Sequence, residues 1–344
     1  MNATTISEQA AMSPVGLVVI GRNEGQRLAR CLASLRAVPH RIYVDSGSAD
    51  GSAELARGAG TEVLELTAPP PFTAARGRNA GLARLLAAHP QLHFVQMVDG
   101  DCELHAGWLQ VGLAALRTDR TLAAVFGRTR ERDPAQSIYN ALCDDEWNVP
   151  VGEAQGCGGN ACFRVAALRQ VDFYNASMIA GEDTELSMRL RKAGWRLLRI
   201  DAEMAVHDAE MTRFGQWWRR TRRSGHAYGE MAHLHPGARE PNWPRTVRGI
   251  WVWGAVMPSA LLFTVLLALT ANRWWWMVAA LAILPWPLKM AQLASRQRRR
   301  GLPLKVALAS GVLLMAGKVP QVAASECEVV HILLPPAMHT DRPF

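Results

Sequence analysis

From Val15 to about Phe126, short runs of β-branched and other apolar residues alternate with segments whose apolar positions recur at helical spacing. That alternation predicts an α/β domain, a mainly parallel sheet with helices on both faces. VGLVVI (15–20) reads as a buried strand, EGQRLARCLASL (24–35) as a helix, and RIYVD (41–45) and TEVLEL (61–66) as the next two strands. Between those strands, SADGSAELARGAG predicts a loop and a helix closing at Gly58 or Gly60. RGRNAGLARLLAAH (76–89) predicts a further helix, followed by LHFVQMVDGD (92–101), a strand whose carboxyl end runs into acidic residues. In open α/β sheets, ligands bind at those carboxyl ends. Residues 127–160 read as polar and irregular, and the helix over 182–194 with the strand WRLLRI (195–200) gives the later part an α+β character.

The pattern then changes solvent. Between Arg248 and Arg273 lie 24 residues without a charge, about 36 Å of helix and slightly more than a hydrocarbon core. A spanning helix is predicted over about 249–272. WWWMVAALAILPWPL (274–288) predicts a second, over about 274–295, with Lys289 snorkelling and two prolines able to kink it. The segment 306–325 is apolar but interrupted by Lys318 and Pro320, and reads either as a third span or as an interfacial helix. A buried core of a soluble domain is the bland alternative, and so long an uncharged run is uncommon there. The expected organisation is a flexible N-terminus over 1–13, a catalytic domain over 14–235 and a membrane region over 236–344.

Charge sharpens this division. Residues 1–209 hold 21 Lys/Arg against 24 Asp/Glu, a net of −3, whereas residues 210–344 hold 17 against 6, a net of +11. Positive charge beside the most apolar stretch points to an anionic membrane surface before nucleic acid, and no nucleic-acid partner is expected. With 49% hydrophobic and 20% charged residues, the chain is neither disordered nor collagen-like. The six cysteines form no CxxC pair or metal-ligand spacing, which argues against a zinc module or a disulfide framework. No basic segment followed by an apolar run opens the chain, so no signal peptide is expected and the catalytic domain is placed in the cytoplasm.

Several constellations can carry chemistry. Asp99 and Asp101 flank Gly100 at the end of a strand, where both can address one hard divalent ion, Mg2+ or Mn2+, together with substrate phosphates. An ordinary acidic turn is the bland reading, and His207 in AVHD is carried as a further metal ligand. Asp45 closes RIYVD where parallel strands diverge, a place suited to a base or ribose. Arg76, Arg78 and Asn79 open a helix and can meet a phosphate or ribose edge, or form a solvated basic face. Glu182 and Asp183 begin a helix, where the helix dipole alone favours carboxylates, but an acceptor hydroxyl also needs a carboxylate base. Gln216, Arg219 and Arg220, beside Trp217 and Trp218, can clamp a diphosphate or read anionic lipid.

Taken in order, VVIGRNEG (18–25), YVDSGSADGS (43–52), ARGRNAG (75–81), VDGDCEL (98–104) with GWL (107–109), GGNACFR (158–164), GEDTELSMRLRKAGW (181–195) and QWWRR (216–220) resemble the family-2 inverting glycosyltransferases of GT-A fold. The match covers about residues 14–225. The resemblance implies metal-dependent, inverting sugar transfer from a UDP- or GDP-sugar. It implies that Asp45 contacts the base, that Asp99 and Asp101 handle ribose and metal, and that Asp183, beside Glu182, is the general base. It also puts Arg76, Arg78, Asn79, Gly159, Asn160, Gln216, Arg219 and Arg220 among the substrate-binding residues. The chain has Ser46 where family members commonly carry a second acid, and Arg220 where processive synthases carry a tryptophan. Spans that follow the catalytic domain, with none before it, favour addition of a single sugar.

The expected protein is thus a multi-pass enzyme of the cytoplasmic membrane, its GT-A domain facing the cytoplasm and its acceptor lipid-linked or a saccharide of polysaccharide assembly. The alternatives are a polyprenyl-phosphate sugar transferase and a nucleotide-binding membrane adaptor without catalysis.

Overall fold

The computed structural model describes residues 15–67, 70–237 and 242–333, with side chains to residue 325 in the last stretch. The flexible N-terminus expected over 1–13 lies outside the described residues. Two compact units divide the chain, one running to Pro134 and resuming over Cys143–Glu210, the other comprising Ala135–Leu142 and the chain from Met211 onward. The helix Phe214–Leu234, inside the catalytic domain on the expected boundary at 235, falls in the second unit.

In chain order the first unit contains β1 (Val15–Gly21), α1 (Gln26–Ser34), β2 (Arg41–Asp45), α2 (Ser52–Gly58), β3 (Glu62–Glu65), α3 (Ala74–Ala88), β4 (Phe94–Asp99), β5 (Cys102–Leu104), α4 (Trp108–Thr118) and β6 (Leu122–Glu131). After α5 (Ile138–Glu146) come β7 (Gly152–Glu153), β8 (Ala161–Arg164), α6 (Val165–Gln170), α7 (Glu182–Lys192) and β9 (Arg196–His207). Among the described residues these strands form one sheet in the order β3-β2-β1-β4-β8-β6-β9-β5, with β7 beside β9. The ladder is parallel from β3 to β4 and between β6 and β9, and antiparallel where β8, β5 and β7 join. β1 is buried at every position up to Ile20, as a strand covered on both faces must be. The carboxyl ends of β1, β2 and β4 therefore open side by side.

The region expected to be irregular, 127–160, is not. β6 continues to Glu131 and is followed by α5, while β9 runs well past Ile200 to His207. Hydropathy hides these elements because their charges are paired and buried. Arg128 of β6 donates to Asp144 of α5 at 2.8 Å, and Glu131 meets His207 of β9 at 2.7 Å.

The second unit holds α8 (Phe214–Leu234), then α9 (Trp243–Thr270), which carries a π-helical turn at Val252–Val256. α10 (Trp275–Arg299) follows, then α11 (Leu304–Ala316) and α12 (Lys318–Leu333). The helical segments Trp243–Thr270, Trp275–Arg299 and Leu304–Ser325 are each long and apolar enough to cross a membrane. Leu262, Phe263, Leu269, Leu281 and Leu288 stand exposed along the first two, a surface suited to lipid rather than water. Gly225 of α8 lies against the backbone of Gln321, where a Cβ would collide, so α8 packs closely on the last helix.

Gln96 of β4 is fully buried in the centre of the sheet. Trp108 of α4 donates its indole N–H to Gln96 Oε1 at 2.9 Å, and Gln96 Nε2 donates to the Met97 carbonyl at 2.7 Å. Trp108→Phe is expected to cost about 1–3 kcal/mol by leaving that oxygen unsatisfied. The double variant with Gln96→Leu should recover part of the loss in thermal unfolding, and a purely additive double variant would show that the two side chains act independently.

Candidate active site

β4 ends at Asp99, and the chain turns through Gly100 to Asp101. The Gly100 N–H donates to the Ile20 carbonyl at 2.8 Å, tying this turn to the end of β1. Asp99 is held from two sides. Arg78, on the buried face of α3, donates to Asp99 Oδ1 at 2.7 Å through one terminal nitrogen and to Glu182 Oε1 through the other. Asn160 accepts from the Asp99 N–H at 2.9 Å and donates to Asp99 Oδ2 at 3.3 Å. Gly159 completes the enclosure, because a Cβ there would strike the Arg78 guanidinium and the Asp99 carboxylate. The Tyr174 ring lies 5.5 Å from the guanidinium carbon, within cation–π range.

Asp101 faces a different partner. Its Oδ2 lies 3.5 Å from His207 Nε2, while His207 Nδ1 is 2.7 Å from Glu131 Oε2. Burial would lower the His207 pKa, but hydrogen bonds and charge from Asp101 and Glu131 outweigh it and push it up to about 10. Burial raises Asp101 in turn, and His207 more than reverses this, holding it below the usual carboxylate value. A carboxylate beside an imidazole whose far nitrogen is fixed by a second carboxylate is the arrangement that orients histidine on a divalent ion, so these residues fit Mg2+ or Mn2+. The atoms that converge are those of Asp101, Cys102 and His207, within 4.8 Å of one another. Asp99, expected among the metal ligands, is turned instead to Arg78 and Asn160.

Glu182 and Asp183 divide their work. Glu182 is buried on Arg78. Asp183 accepts through Oδ1 from the Thr184 N–H at 2.7 Å, and burial together with the neighbouring Glu182 charge pushes its pKa up to about 6 against the pull of Arg78. A carboxylate so placed is a competent proton acceptor near neutral pH.

Other expected site residues are engaged by the protein itself. Asp45 is buried, taking the Gly47 and Ser48 N–H groups on Oδ2 at 3.0 and 2.8 Å and the Tyr43 hydroxyl on Oδ1 at 3.0 Å. Asn79 clamps the Tyr174 backbone, donating to its carbonyl at 2.7 Å and accepting from its N–H at 3.0 Å. Arg76 donates to the Pro71 carbonyl at 2.8 Å. Gln216 caps α8, accepting from the Thr212 and Arg213 N–H groups at 3.0 and 2.9 Å. Arg219 and Arg220 lie on the same helix, in the second unit.

Two groups that sequence reasoning did not single out also belong here. Glu24, paired with Arg27 at 2.9 Å, is pushed up to about 7 by burial and by the Asp101 charge, against the pull of that arginine. Trp147 sets its ring 5.7 Å from His207 and buries an indole N–H without a partner. The NEG of VVIGRNEG was the visible signal for the first, and nothing in DDEWNVP marks the second.

Comparison with known proteins bears on the family and the fold. The Glycosyl transferase family 2 model matches residues 17–170, and the Glycosyl transferase family group 2 model matches residues 144–294. Together the two glycosyltransferase family 2 models span residues 17–294 of the chain. It is 28% identical over 239 residues to a pre-mycofactocin glycosyltransferase of Mycobacterium tuberculosis, covering 66% of this chain and 49% of that one. The match thus spans about half of that relative's length. A mannosyltransferase from Pyrobaculum calidifontis, solved with GDP-Man and Mn2+, superimposes with a TM-score of 0.54 at 17% identity, over 94% of this chain and 88% of that one. At that identity the likeness is one of fold, and the fold is GT-A-like.

Because Arg78 is buried between two carboxylates, Arg78→Met is expected to cost about 3–5 kcal/mol at neutral pH. Asp99 is already raised by burial and loses the Arg78 charge that pulls it down, so the folded variant binds a proton that the unfolded chain does not. Its stability gap to the wild type should narrow as pH falls from about 8 to 5. Thermal unfolding across that range checks this, and a gap that stays constant would argue against the ion pairs as its cause.

Proposed function

We propose that the protein is a membrane-anchored inverting glycosyltransferase that moves one sugar from a nucleoside-diphosphate sugar to a hydroxyl of a lipid-linked or polysaccharide-precursor acceptor. The observation that carries this reading is the Arg78 bridge, which brings Asp183, through its neighbour Glu182, beside the Asp99–Asp101 turn. A donor UDP- or GDP-sugar would lie over the carboxyl ends of β1, β2 and β4, with its ribose toward Asp99 and its diphosphate toward Asp101 and His207. The Pyrobaculum enzyme with GDP-Man and Mn2+ on a shared fold supports that placement. A Mg2+ or Mn2+ bound at Asp101 and His207 supplies positive charge to the departing diphosphate. Asp183 takes the proton of the acceptor hydroxyl as that oxygen attacks the anomeric carbon from the face opposite the leaving group, inverting the configuration in one displacement. Arg78 fixes Glu182 in place through their ion pair.

Screening nucleotide sugars by nucleoside-diphosphate release, with detergent-solubilised protein, Mn2+ and a lipid-phosphate extract, identifies the donor. With that donor, Asp183→Asn should keep donor affinity and lose about 10²–10⁴ in turnover, and wild-type activity should fall as pH drops through about 6. Stability moves the other way. A carboxyl raised in the folded state destabilises the fold once it ionises, so above pH 6 Asp183→Asn should melt no lower than the wild type. Loss of donor binding in this variant would remove Asp183 from the base role.

We place the catalytic domain on the cytoplasmic face. WRRTRR precedes the first apolar helix, PRTVR lies in its first turns and RQRRR ends the second, so a hairpin turning at Asn272–Arg273 keeps these basic clusters on one side. The Trp274–Trp276 cluster then sits at the outer interface. A cysteine at Asn272 should react with an impermeant thiol reagent added to intact cells, and one at the exposed Arg299 should not, native cysteines being silent. The reverse labelling would overturn the orientation.

A further inference from the structure

From Asn242 to Ser325 the chain carries no Asp or Glu, yet two lysines stand in its apolar helices, Lys289 within α10 and Lys318 at the start of α12. Both are half-buried. Among the described residues, the charge that acts on Lys318 is another positive one, that of Lys289. Neither has a carboxylate partner. Lys318 Nζ donates to Gln321 Oε1 at 3.1 Å, and Lys289 Nζ donates to Gln292 Oε1 at 2.9 Å. Ammonium groups set among apolar helices with neutral acceptors alone are costly to keep charged.

Three helices meet at this point. Gly254, in the π-helical turn of α9, lies against the Lys318 carbonyl, where a Cβ would collide. Its neighbour Trp253 meets Trp286 of α10 edge to face, with ring centroids 6.3 Å apart, and Lys289 follows Trp286 by one turn on the same face. The indole N–H groups of Trp251 and Trp286 are buried and have no acceptor. Donors and positive charge are therefore gathered beside a π-turn, a distortion that recurs at functional sites, and the region supplies no anion for them. With the hairpin turning at Asn272, Gly254 and Lys289 lie 18 and 17 residues from that turn. This is about 25–27 Å along each helix, close to the inner edge of a hydrocarbon core about 30 Å thick. Lipid phosphates lie at that depth.

We propose that Lys289 and Lys318 form a binding site for the phosphate of the lipid-linked acceptor, an alkyl-chain lipid whose headgroup carries a phosphate monoester or a diphosphate. The inference rests on the reading of the acceptor as lipid-linked and on the hairpin orientation. A phosphate monoester carries about −1.5 to −2 at pH 7, which matches two ammonium groups, whereas the phosphodiester of phosphatidylglycerol carries a single charge. Leu284 and Leu288, exposed on α10 beside Lys289, offer apolar surface to the lipid chain.

The test measures binding of a radiolabelled prenyl monophosphate to full-length protein in detergent, without any nucleotide sugar. The wild type should hold it against excess prenyl alcohol and excess phosphatidylglycerol. Lys318→Gln and Lys289→Gln should each weaken binding at least about tenfold, as the loss of one charge-assisted hydrogen bond does. Lys318→Arg should keep most of the affinity, and Arg299→Gln, at the exposed end of α10, should keep all of it. If Lys318→Gln fails to fold, Lys289→Gln carries the same expectation. Absence of binding in the wild type, undiminished binding in the glutamine variants or an equal loss in Arg299→Gln overturns the site. Equal competition by the alcohol or by phosphatidylglycerol overturns it as well, leaving a groove for an alkyl chain or a seat for ordinary phospholipid. Transfer fails separately: a protein that binds the lipid phosphate as expected but transfers sugar to no lipid acceptor would count against the proposed function and leave this site standing.

Discussion

The buried guanidinium of Arg78 is the contact on which the catalytic unit turns. Only 4% of its side chain is exposed, and a charge so placed is tolerated when its donors meet charged acceptors. Here they meet Asp99 and Glu182, the latter 104 residues further along the chain. The helix that carries Arg78 thereby joins the end of β4 to the start of α7. The surroundings fit the bridge closely. Gly159 gives it room, Tyr174 presents a ring to it, and Asn79, one residue along the same helix, fastens the backbone of that tyrosine. Residues with the look of a substrate cradle thus form the frame that holds a few reactive groups still.

That frame explains what the sequence discloses and what it conceals. β1, β2 and β4 are legible because strands buried on both faces read as unbroken apolar runs, and the apolar helices are legible for the same reason. The motif residues at strand ends are legible as a set, and Arg78, Asp99, Asn160 and Glu182 do meet. Their individual roles are not. Asp45, Asn79 and Gln216 have the same donors and acceptors whether they face a nucleotide or a backbone amide, and only the folded chain shows that backbone groups engage them. β6 and the far half of β9 escape a hydropathy reading because Arg128, Glu131 and His207 are charged or polar in sequence and neutralised in pairs in space.

The charge around the Asp99–Asp101 turn is unbalanced. Glu24, Asp99, Asp101, Glu131, Glu182 and Asp183 outnumber Arg27, Arg78 and His207. The excess is written into the acids themselves: burial and their mutual repulsion raise Glu24, Asp99 and Asp183, while Asp101, against His207, alone of the four is held down. Each raised carboxyl is a place where the fold carries unfavourable charge. On the proposed reading, a donor diphosphate entering alone would add to that repulsion, and a divalent ion at Asp101 and His207 would relieve it. Nucleotide and ion therefore favour each other's binding, because each brings the charge the other lacks. The same argument separates the two acids of α7. Glu182 is fixed on Arg78, and its charge raises the neighbouring Asp183, which on the proposed reading readies it to accept a proton from an incoming hydroxyl. The positive charge that makes the site stable and the negative charge that makes it basic come from one buried triad, so neither could be removed without losing the other.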